Sequence, residues 1–166
     1  MRVDLEQAQQ TQQVLNGHPG PRLALAATLA YAFDFLKAAE SHRASTSDFK
    51  PAKLYLACHA LELALKTYLA LQGWPIATRE RATSRADLLS LLAQADSHGL
   101  DKLVPLSPQQ HAEVKKAAAY YSGMVLEYPA LVETVRGFPQ RPDADSLMTL
   151  SNNLLSAIGR KIRALI

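Results

Sequence analysis

The sequence predicts an all-α protein that folds as a single up-and-down bundle of about five main helices. Alanine and leucine, both strong helix formers, recur along all 166 residues, and no stretch shows sustained strand alternation. Apolar residues recur at spacings of three and four in several segments, and polar loops separate these segments. A chain of this length forms one domain that buries roughly two-thirds of its unfolded surface without disulfides or a structural metal.

The chain divides into a polar N-terminal arm, residues 1–21, and a helical bundle, residues 22–166. The arm could form a helix of its own, but its apolar face is thin and a Gly- and Pro-rich breaker follows it. The main helices are predicted at residues 22 to about 39, 51–72, 84–98, 107 to about 127, and about 143 to the end of the chain.

The first two helices of the bundle are predicted from apolar spacing. In the first, Leu25, Leu29, Phe33 and Leu36 recur at helical spacing. The polar stretch SHRASTSDFK, residues 41–50, follows it. The second is PAKLYLACHALELALKTYLALQGW, residues 51–74, whose Gly-Trp end marks the stop.

The later helices are predicted from capping signals. Ser84 followed by Asp87 is a capping box for the third helix. Ser107 and Gln110 form a clearer box around a first-turn proline and start the fourth. The last helix carries one apolar side, formed by Leu147, Leu150, Leu154, Ile158, Ile162 and Leu165.

Composition argues against several functional classes. A net charge of +3, from 18 basic and 15 acidic residues, is too small to predict nucleic-acid binding by electrostatics alone. Cys58 is the single cysteine, which excludes an internal disulfide and a multi-cysteine zinc site. The apolar run from Leu23 stops at Asp34, short of the roughly 20 residues that span a bilayer. We therefore expect a cytoplasmic protein with no membrane segment.

Common catalytic and cofactor signatures are missing from the sequence. The five histidines make no pair at the helical spacing of metal ligands. There is no glycine-rich phosphate loop and no serine in a nucleophile elbow, and Cys58 lies inside a predicted helix. We therefore expect no metal and no cofactor.

Four polar residues share one narrow stripe of the second helix. At about 100° per residue, Tyr55, His59, Glu62 and Lys66 fall together, and we call this stripe the polar seam. The predicted core face on one side consists of Leu54, Cys58, Leu61, Leu65, Tyr68 and Leu69. The far side is apolar again, with Leu56, Leu63 and Ala70. A helix with two apolar faces is expected at the centre of the bundle.

The polar seam has two interpretations. Glu62 and Lys66 have the favoured i,i+4 orientation, so the seam could be an ion-pair run worth about 0.3 to 0.5 kcal/mol if exposed. Alternatively, the seam is the floor of a groove in which His59, titrating near neutral pH, is held by Glu62. Periodicity does not decide between them.

Three segments together resemble one protein family. CHALELALKTYLALQGW, from Cys58, resembles the "sHaiElaLKayLl..G" helix of small bacterial HEPN-domain proteins (higher eukaryotes and prokaryotes nucleotide-binding). RADLLSLLAQADSHGL, from Arg85, is similar to the family segment "GHdLk.Ll..A...GL". LEYP, from Leu126, is similar to the "..rYp" element that follows a helix with paired tyrosines, here Tyr120 and Tyr121.

The resemblance implies an up-and-down bundle that pairs into a homodimer and acts in bacterial stress, toxin–antitoxin or defence systems. Many members are metal-independent endoribonucleases, with an arginine followed four to six residues later by a histidine that serves as general base. No arginine of this chain has a histidine at that distance. Ala86 stands where the family has the histidine of its second segment, although Asp87 is kept.

We therefore expect a HEPN-like binding or regulatory protein, with a non-catalytic role favoured, whose partner is a nucleotide, RNA or another protein. The expected ligand-binding residues are Tyr55, His59, Glu62, Lys66, Arg85 and Asp87. Lys66 and Arg85 would contact phosphate, and His59 and Glu62 would set orientation. One alternative is a metal-independent endoribonuclease that uses His59, Glu62 and Lys66. The other is a purely structural, dimeric interaction protein.

Overall fold

The computed structural model describes residues 19–42, 50–74, 87–123, 125–126 and 140–165. These residues form helices and turns and no β-strand, which confirms the all-α class. The helices in this part of the chain are α1 (Pro19–Ser41), α2 (Pro51–Leu71), α3 (Leu88–Ser97), α4 (Leu100–Leu103), α5 (Pro108–Ser122) and α6 (Ala144–Leu165).

Helix boundaries follow the predictions closely at α2 and α6 and differ at three other ends. α1 begins at Pro19 instead of Arg22, because proline is tolerated in a first helical turn, where backbone N–H groups have no helical partner. α5 ends at Ser122, short of the predicted end near residue 127, and Gly123 is its C-cap. Glycine is a poor helix former, so it stops a helix that the apolar pattern alone would continue.

The start of α3 differs from the predicted capping box. Asp87, predicted as the partner of Ser84, is itself the N-cap, and its carboxylate accepts a hydrogen bond from the backbone N–H of Leu89 at 3.1 Å. Ser84 and the greater part of the predicted N-terminal arm, residues 1–18, lie outside the described residues.

α2 lies at the centre of the bundle, packed against α1 and α6, with α3 and α5 adding further contacts. α1 and α2 are consecutive in the sequence and pack against each other, and the ring of Phe35 in the second half of α1 contacts the ring of His59 in the first half of α2. The predicted core face of α2 is confirmed, since each of its six residues is at most 5% exposed. Ala70 on the opposite side is buried, and Leu56 and Leu63 pack against the core.

α2 is also long and apolar enough, by length and composition alone, to cross a membrane, with a mean hydropathy of 1.2 over its most apolar window. Inside the bundle, however, 72% of that window is buried. Core helices of bundles pass the same test, so packing against α1 and α6 is sufficient to explain this apolar length.

The start of α5 is fixed by the capping box that the sequence predicts. The hydroxyl of Ser107 accepts a hydrogen bond from the backbone N–H of Gln110 at 3.2 Å. The side-chain oxygen of Gln110 accepts one from the backbone N–H of Ser107 at 2.8 Å. These bonds satisfy donors that would otherwise be unpaired, and they set the register of the helix whose last turn carries Tyr121.

We expect Ser107→Ala to lower the free energy of unfolding by about 1 kcal/mol, because the substitution removes the capping oxygen. Ser107→Thr keeps a hydroxyl and should retain most of the stability. Urea denaturation of the three proteins measures both effects, and equal midpoints for Ser107→Ala and the wild type would contradict this role of the cap.

Candidate functional site: the polar seam of α2

The polar seam is covered at its centre and open at its sides. Glu62 is only 4% exposed, whereas glutamate side chains are almost never fully buried unless they are paired. The side chains of His59 and Lys66 are 27% and 31% exposed, and Tyr55 is half-buried. Two other helices contact the seam: α1 contributes Phe35, which contacts His59, and α5 contributes Tyr121, which contacts Glu62.

Both carboxylate oxygens of Glu62 accept hydrogen bonds from side chains. Oε1 accepts from Nζ of Lys66 at 2.5 Å, and Oε2 accepts from the hydroxyl of Tyr121 at 2.6 Å. Nδ1 of His59 lies 3.5 Å from Oε2. Glu62 is buried and both its oxygens already accept hydrogen bonds, so it supports its neighbours, and its direct contact with a ligand stays a prediction.

The surroundings of Glu62 keep its carboxylate ionised. Burial by itself would raise the pKa of Glu62, but hydrogen bonds from His59, Lys66 and Tyr121, together with the charge of Lys66, outweigh burial. The pKa of Glu62 falls from 4.5 to about 2. The seam therefore holds a buried negative charge paired with a partly exposed positive one.

His59 is held by aromatic rings and by one hydrogen bond. Its Nδ1 lies 2.7 Å from the hydroxyl oxygen of Tyr121. The edge of Phe35 meets the ring at a centroid distance of 4.4 Å, and the ring of Tyr55 stacks parallel to it at 6.1 Å. Within the described part of the chain, no residue forms a hydrogen bond with the other ring nitrogen, Nε2.

We call Phe35, Tyr55, His59 and Tyr121 the aromatic cluster. Its rings come from three helices, and Tyr55 and Tyr121 lie 5.6 Å apart between ring centres. Tyr31 lies one helical turn before Phe35 and is 64% exposed, so it extends the aromatic surface along α1. The cluster is joined to Lys66 through Glu62, whose carboxylate accepts from both the hydroxyl of Tyr121 and the ammonium group of Lys66.

Of the other two predicted ligand-binding residues, Asp87 lies at the start of α3. Arg85 lies outside the described residues, so its role stays a prediction. The carboxylate of Asp87 caps α3, and it also accepts a hydrogen bond from the hydroxyl of Ser90 at 2.9 Å. No contact among the described residues joins Asp87 to Glu62 or Lys66, and its role in binding also stays a prediction.

Sequence reasoning missed two residues of the site, Phe35 and Tyr121. Both lie on other helices, so the spacing of residues in α2 does not predict their contacts with it. One signal was available for Tyr121: a tyrosine on the apolar side of a helix needs a hydrogen-bond partner for its hydroxyl once it is buried. Tyr121 is 1% exposed, and Glu62 is that partner.

Cys58, next to the seam, is chemically inert. It is completely buried, and burial, followed by the negative charge of Glu62, raises the pKa of its thiol to about 12. A thiol with such a pKa is not a nucleophile near neutral pH. Across the described ranges, no group of three His, Cys, Asp or Glu side chains could hold a metal ion.

A cavity of about 260 Å³ lies away from the seam, beside the first turns of α2 and α6. It is lined by Lys50, Lys53, Leu54, Arg141, Pro142, Asp143, Ala144 and Asp145. Nζ of Lys53 and Oδ1 of Asp145 form an ion pair across it at 2.6 Å. The cavity is lined by residues of both charges, and two of them already pair with each other. The seam therefore remains the stronger candidate for a ligand-binding site.

Comparisons of the chain with protein-family models, with curated proteins and with solved structures found no match. The HEPN resemblance therefore stays a prediction from three short segments. Any functional conclusion must be argued from the geometry of the seam itself.

We expect the charge of Glu62 to stabilise the fold above about pH 4.5, its ordinary pKa, and this stabilisation to disappear as the pH falls towards about 2, its pKa in the fold. A carboxyl group with a depressed pKa binds a proton less readily in the folded state than in the unfolded state. Protonation in acid therefore removes its contribution to the free energy of unfolding. The free energy of unfolding of the wild type minus that of Glu62→Gln should therefore shrink by about 2 kcal/mol over this interval.

Urea unfolding at a series of pH values, followed by the fluorescence of Trp74, the single tryptophan, measures this difference. Glu40→Gln, at an exposed glutamate of α1, is the matched control and should show a much smaller pH dependence. A difference between wild type and Glu62→Gln that stays constant from pH 7 to pH 2 would contradict the paired, ionised state of Glu62.

Proposed function

We propose that the chain is a HEPN-like, non-catalytic binding or regulatory protein whose ligand binds on the surface formed by the aromatic cluster and Lys66. The observation that carries this proposal is the parallel stack of Tyr55 and His59, both partly exposed, on the same stripe of α2 as the partly exposed ammonium group of Lys66. Glu62 supports this surface from below because both of its oxygens are already bonded.

Aromatic rings on the same helix stripe as a cationic side chain favour a nucleotide or a single-stranded RNA segment as the ligand. Every nucleobase has a flat face that stacks on aromatic rings, and a neighbouring ammonium group attracts phosphate. In this scheme Tyr55 and His59 contact the base and Lys66 contacts phosphate. A protein partner that inserts an aromatic or acidic side chain is the other ligand class that this surface could accept.

The biological setting follows from the resemblance. We propose a cytoplasmic homodimer that acts in bacterial stress, toxin–antitoxin or defence systems. The resemblance, together with the all-α fold, supports this setting. Sedimentation of the purified chain measures the oligomeric state directly.

We expect Tyr55→Leu to weaken the binding of a mixed-sequence single-stranded RNA oligonucleotide about tenfold or more, because base stacking on an aromatic ring contributes roughly 1 to 3 kcal/mol. Leucine keeps an apolar side chain at this half-buried position and so limits damage to the fold. Fluorescence anisotropy of a labelled oligonucleotide gives the dissociation constant.

The matched control is Trp74→Leu, which removes another accessible aromatic ring at the opposite end of α2. Its binding should equal that of the wild type. Equal losses in both variants would mean that the RNA does not bind at the seam, and no binding by the wild type to RNA or to mononucleotides would leave a protein partner as the remaining ligand class.

A second candidate function, a metal-independent endoribonuclease, is favoured by one observation. Because Nδ1 of His59 is bonded to Tyr121, Nε2 remains as a nitrogen that could take a proton from a ribose hydroxyl. Lys66 would then stabilise the charge that develops on phosphate. Glu62 would act indirectly, by holding both Lys66 and Tyr121.

If this enzyme exists, RNA will be cleaved in the presence of a chelator, and His59→Ala will lower the rate by a factor of roughly 100 or more, because general-base catalysis contributes on that scale. A gel assay over RNAs of varied sequence and structure measures the rate, and circular dichroism checks that the variant is folded. Absence of cleavage with all RNAs would exclude the endoribonuclease.

The third candidate is a purely structural interaction protein, in which the seam only joins α2 to α5. The burial of Glu62 and its bond to Tyr121 favour this reading of the central residue. The variant Tyr55→Leu distinguishes this candidate from the binding proposal. If the seam is purely structural, Tyr55→Leu leaves every partner interaction unchanged, whereas Glu62→Gln still destabilises the fold.

A further inference from the structure

The hydroxyl of Tyr121 stands between two seam residues and has only one proton to share. Its oxygen lies 2.6 Å from Oε2 of Glu62 and 2.7 Å from Nδ1 of His59. A hydroxyl group can donate one hydrogen bond and accept others. The direction of these two bonds therefore follows from which neighbour lacks a proton.

Glu62 is the neighbour without a proton. Its other oxygen accepts a hydrogen bond from the ammonium group of Lys66. This charged donor stabilises the ionised form of the buried carboxylate. A carboxylate only accepts hydrogen bonds, so Tyr121 must donate its proton to Glu62. The oxygen of Tyr121 then has only lone pairs for His59, and Nδ1 of His59 must carry a hydrogen.

We propose that Tyr121 is a positioning residue that holds neutral His59 in the tautomer protonated at Nδ1, so that the seam presents Nε2 as a hydrogen-bond acceptor. The hydrogen bonds run in one direction, from His59 through Tyr121 to Glu62. The stack with Tyr55 and the edge contact with Phe35 fix the plane of the ring. Tautomer and orientation are thus both set before a ligand arrives.

This tautomer determines which ligand group fits at His59. A neutral imidazole that accepts at Nε2 binds an N–H or O–H group of the ligand, and it does not attract an anion. The anionic part of the ligand is left to Lys66. This second step rests on the proposed binding function, whereas the tautomer itself does not depend on any ligand.

The groups around His59 determine how acid affects the site. On α2 they are Glu62, which is ionised, Lys66, which is paired with Glu62, and the ring of Tyr55. From α5 the hydroxyl of Tyr121 faces His59, and from α1 the contact is Phe35, which does not titrate. Protonation of His59 adds a hydrogen at Nε2 and converts the acceptor into a donor with a positive charge.

The tautomer is measured by nitrogen NMR of labelled protein above the pH at which His59 titrates, with the His59 signals assigned by comparison with His59→Gln. We expect an Nδ1 signal of the protonated type and an Nε2 signal of the unprotonated type. In Tyr121→Phe, which keeps the ring and removes only the hydroxyl, the population protonated at Nε2 should rise severalfold, because Glu62 is then 3.5 Å away and holds Nδ1 less well.

Tyr120→Phe removes a hydroxyl from the neighbouring position of α5 and is the matched control; it should leave the His59 signals unchanged. Two results would overturn the proposal: a wild-type His59 protonated mainly at Nε2, or a Tyr121→Phe variant that is folded and has the same tautomer ratio as the wild type. A loss of stability alone would not shift this ratio, so the measurement separates positioning from simple packing.

The ligand step is tested with the RNA oligonucleotide of the anisotropy experiment, measured across the pH at which NMR shows His59 to titrate. If Nε2 accepts a hydrogen bond, the ratio of wild-type affinity to His59→Ala affinity should fall by about threefold to tenfold as His59 becomes protonated. A ratio that rises in acid would show that the imidazolium binds phosphate, and it would overturn the acceptor role.

The two proposals fail in different ways. If neither RNA nor mononucleotides bind at any pH, the proposed function is wrong, while the nitrogen signals still decide whether Tyr121 sets the tautomer. If RNA binds at the seam but the affinity ratio is independent of pH, the proposed function stands and the acceptor role of His59 is wrong.

Discussion

The site depends on one buried negative charge, the carboxylate of Glu62. A buried carboxylate is costly unless hydrogen-bond donors surround it, and removing one partner of such a group leaves the charge uncompensated. Lys66 supplies one donor from the same helix, and Tyr121 supplies the other from α5. The need to satisfy Glu62 therefore joins two helices that are far apart in sequence, and it places the hydroxyl that contacts His59.

This arrangement has a specific role beyond stability. Apolar side chains of similar volume could fill the same space and stabilise a bundle as well or better, because a buried ion pair repays little of its desolvation cost. Apolar packing would also tolerate small rotations of α5 against α2. Hydrogen bonds of 2.6 and 2.7 Å on a single hydroxyl do not, so they fix the orientation of Tyr121 and the position of Nδ1 of His59 together.

The sequence predicts those parts of the molecule that depend on neighbouring residues. The all-α class, the two packed faces of α2 and the capping box at Ser107 all follow from spacing and caps within one segment. The i,i+4 pair of Glu62 and Lys66 is equally local. The ion pair of the first interpretation is present, although Glu62 is buried, whereas the groove of the second interpretation stays a prediction and the short contact of His59 is to Tyr121.

The rest of the site arises from packing between segments that are distant in sequence. The spacing of residues within one helix does not predict such contacts. Phe35 and Tyr121 reach His59 from other helices, and nothing in α2 indicates either of them. Glu62 and Lys66 cancel, so the seam has little net charge when His59 is neutral, in keeping with a chain of net charge only +3. Long-range electrostatic attraction of a ligand to this surface is therefore weak. Selection of the ligand depends on short-range features: the flat rings, the direction of Nε2 and one ammonium group.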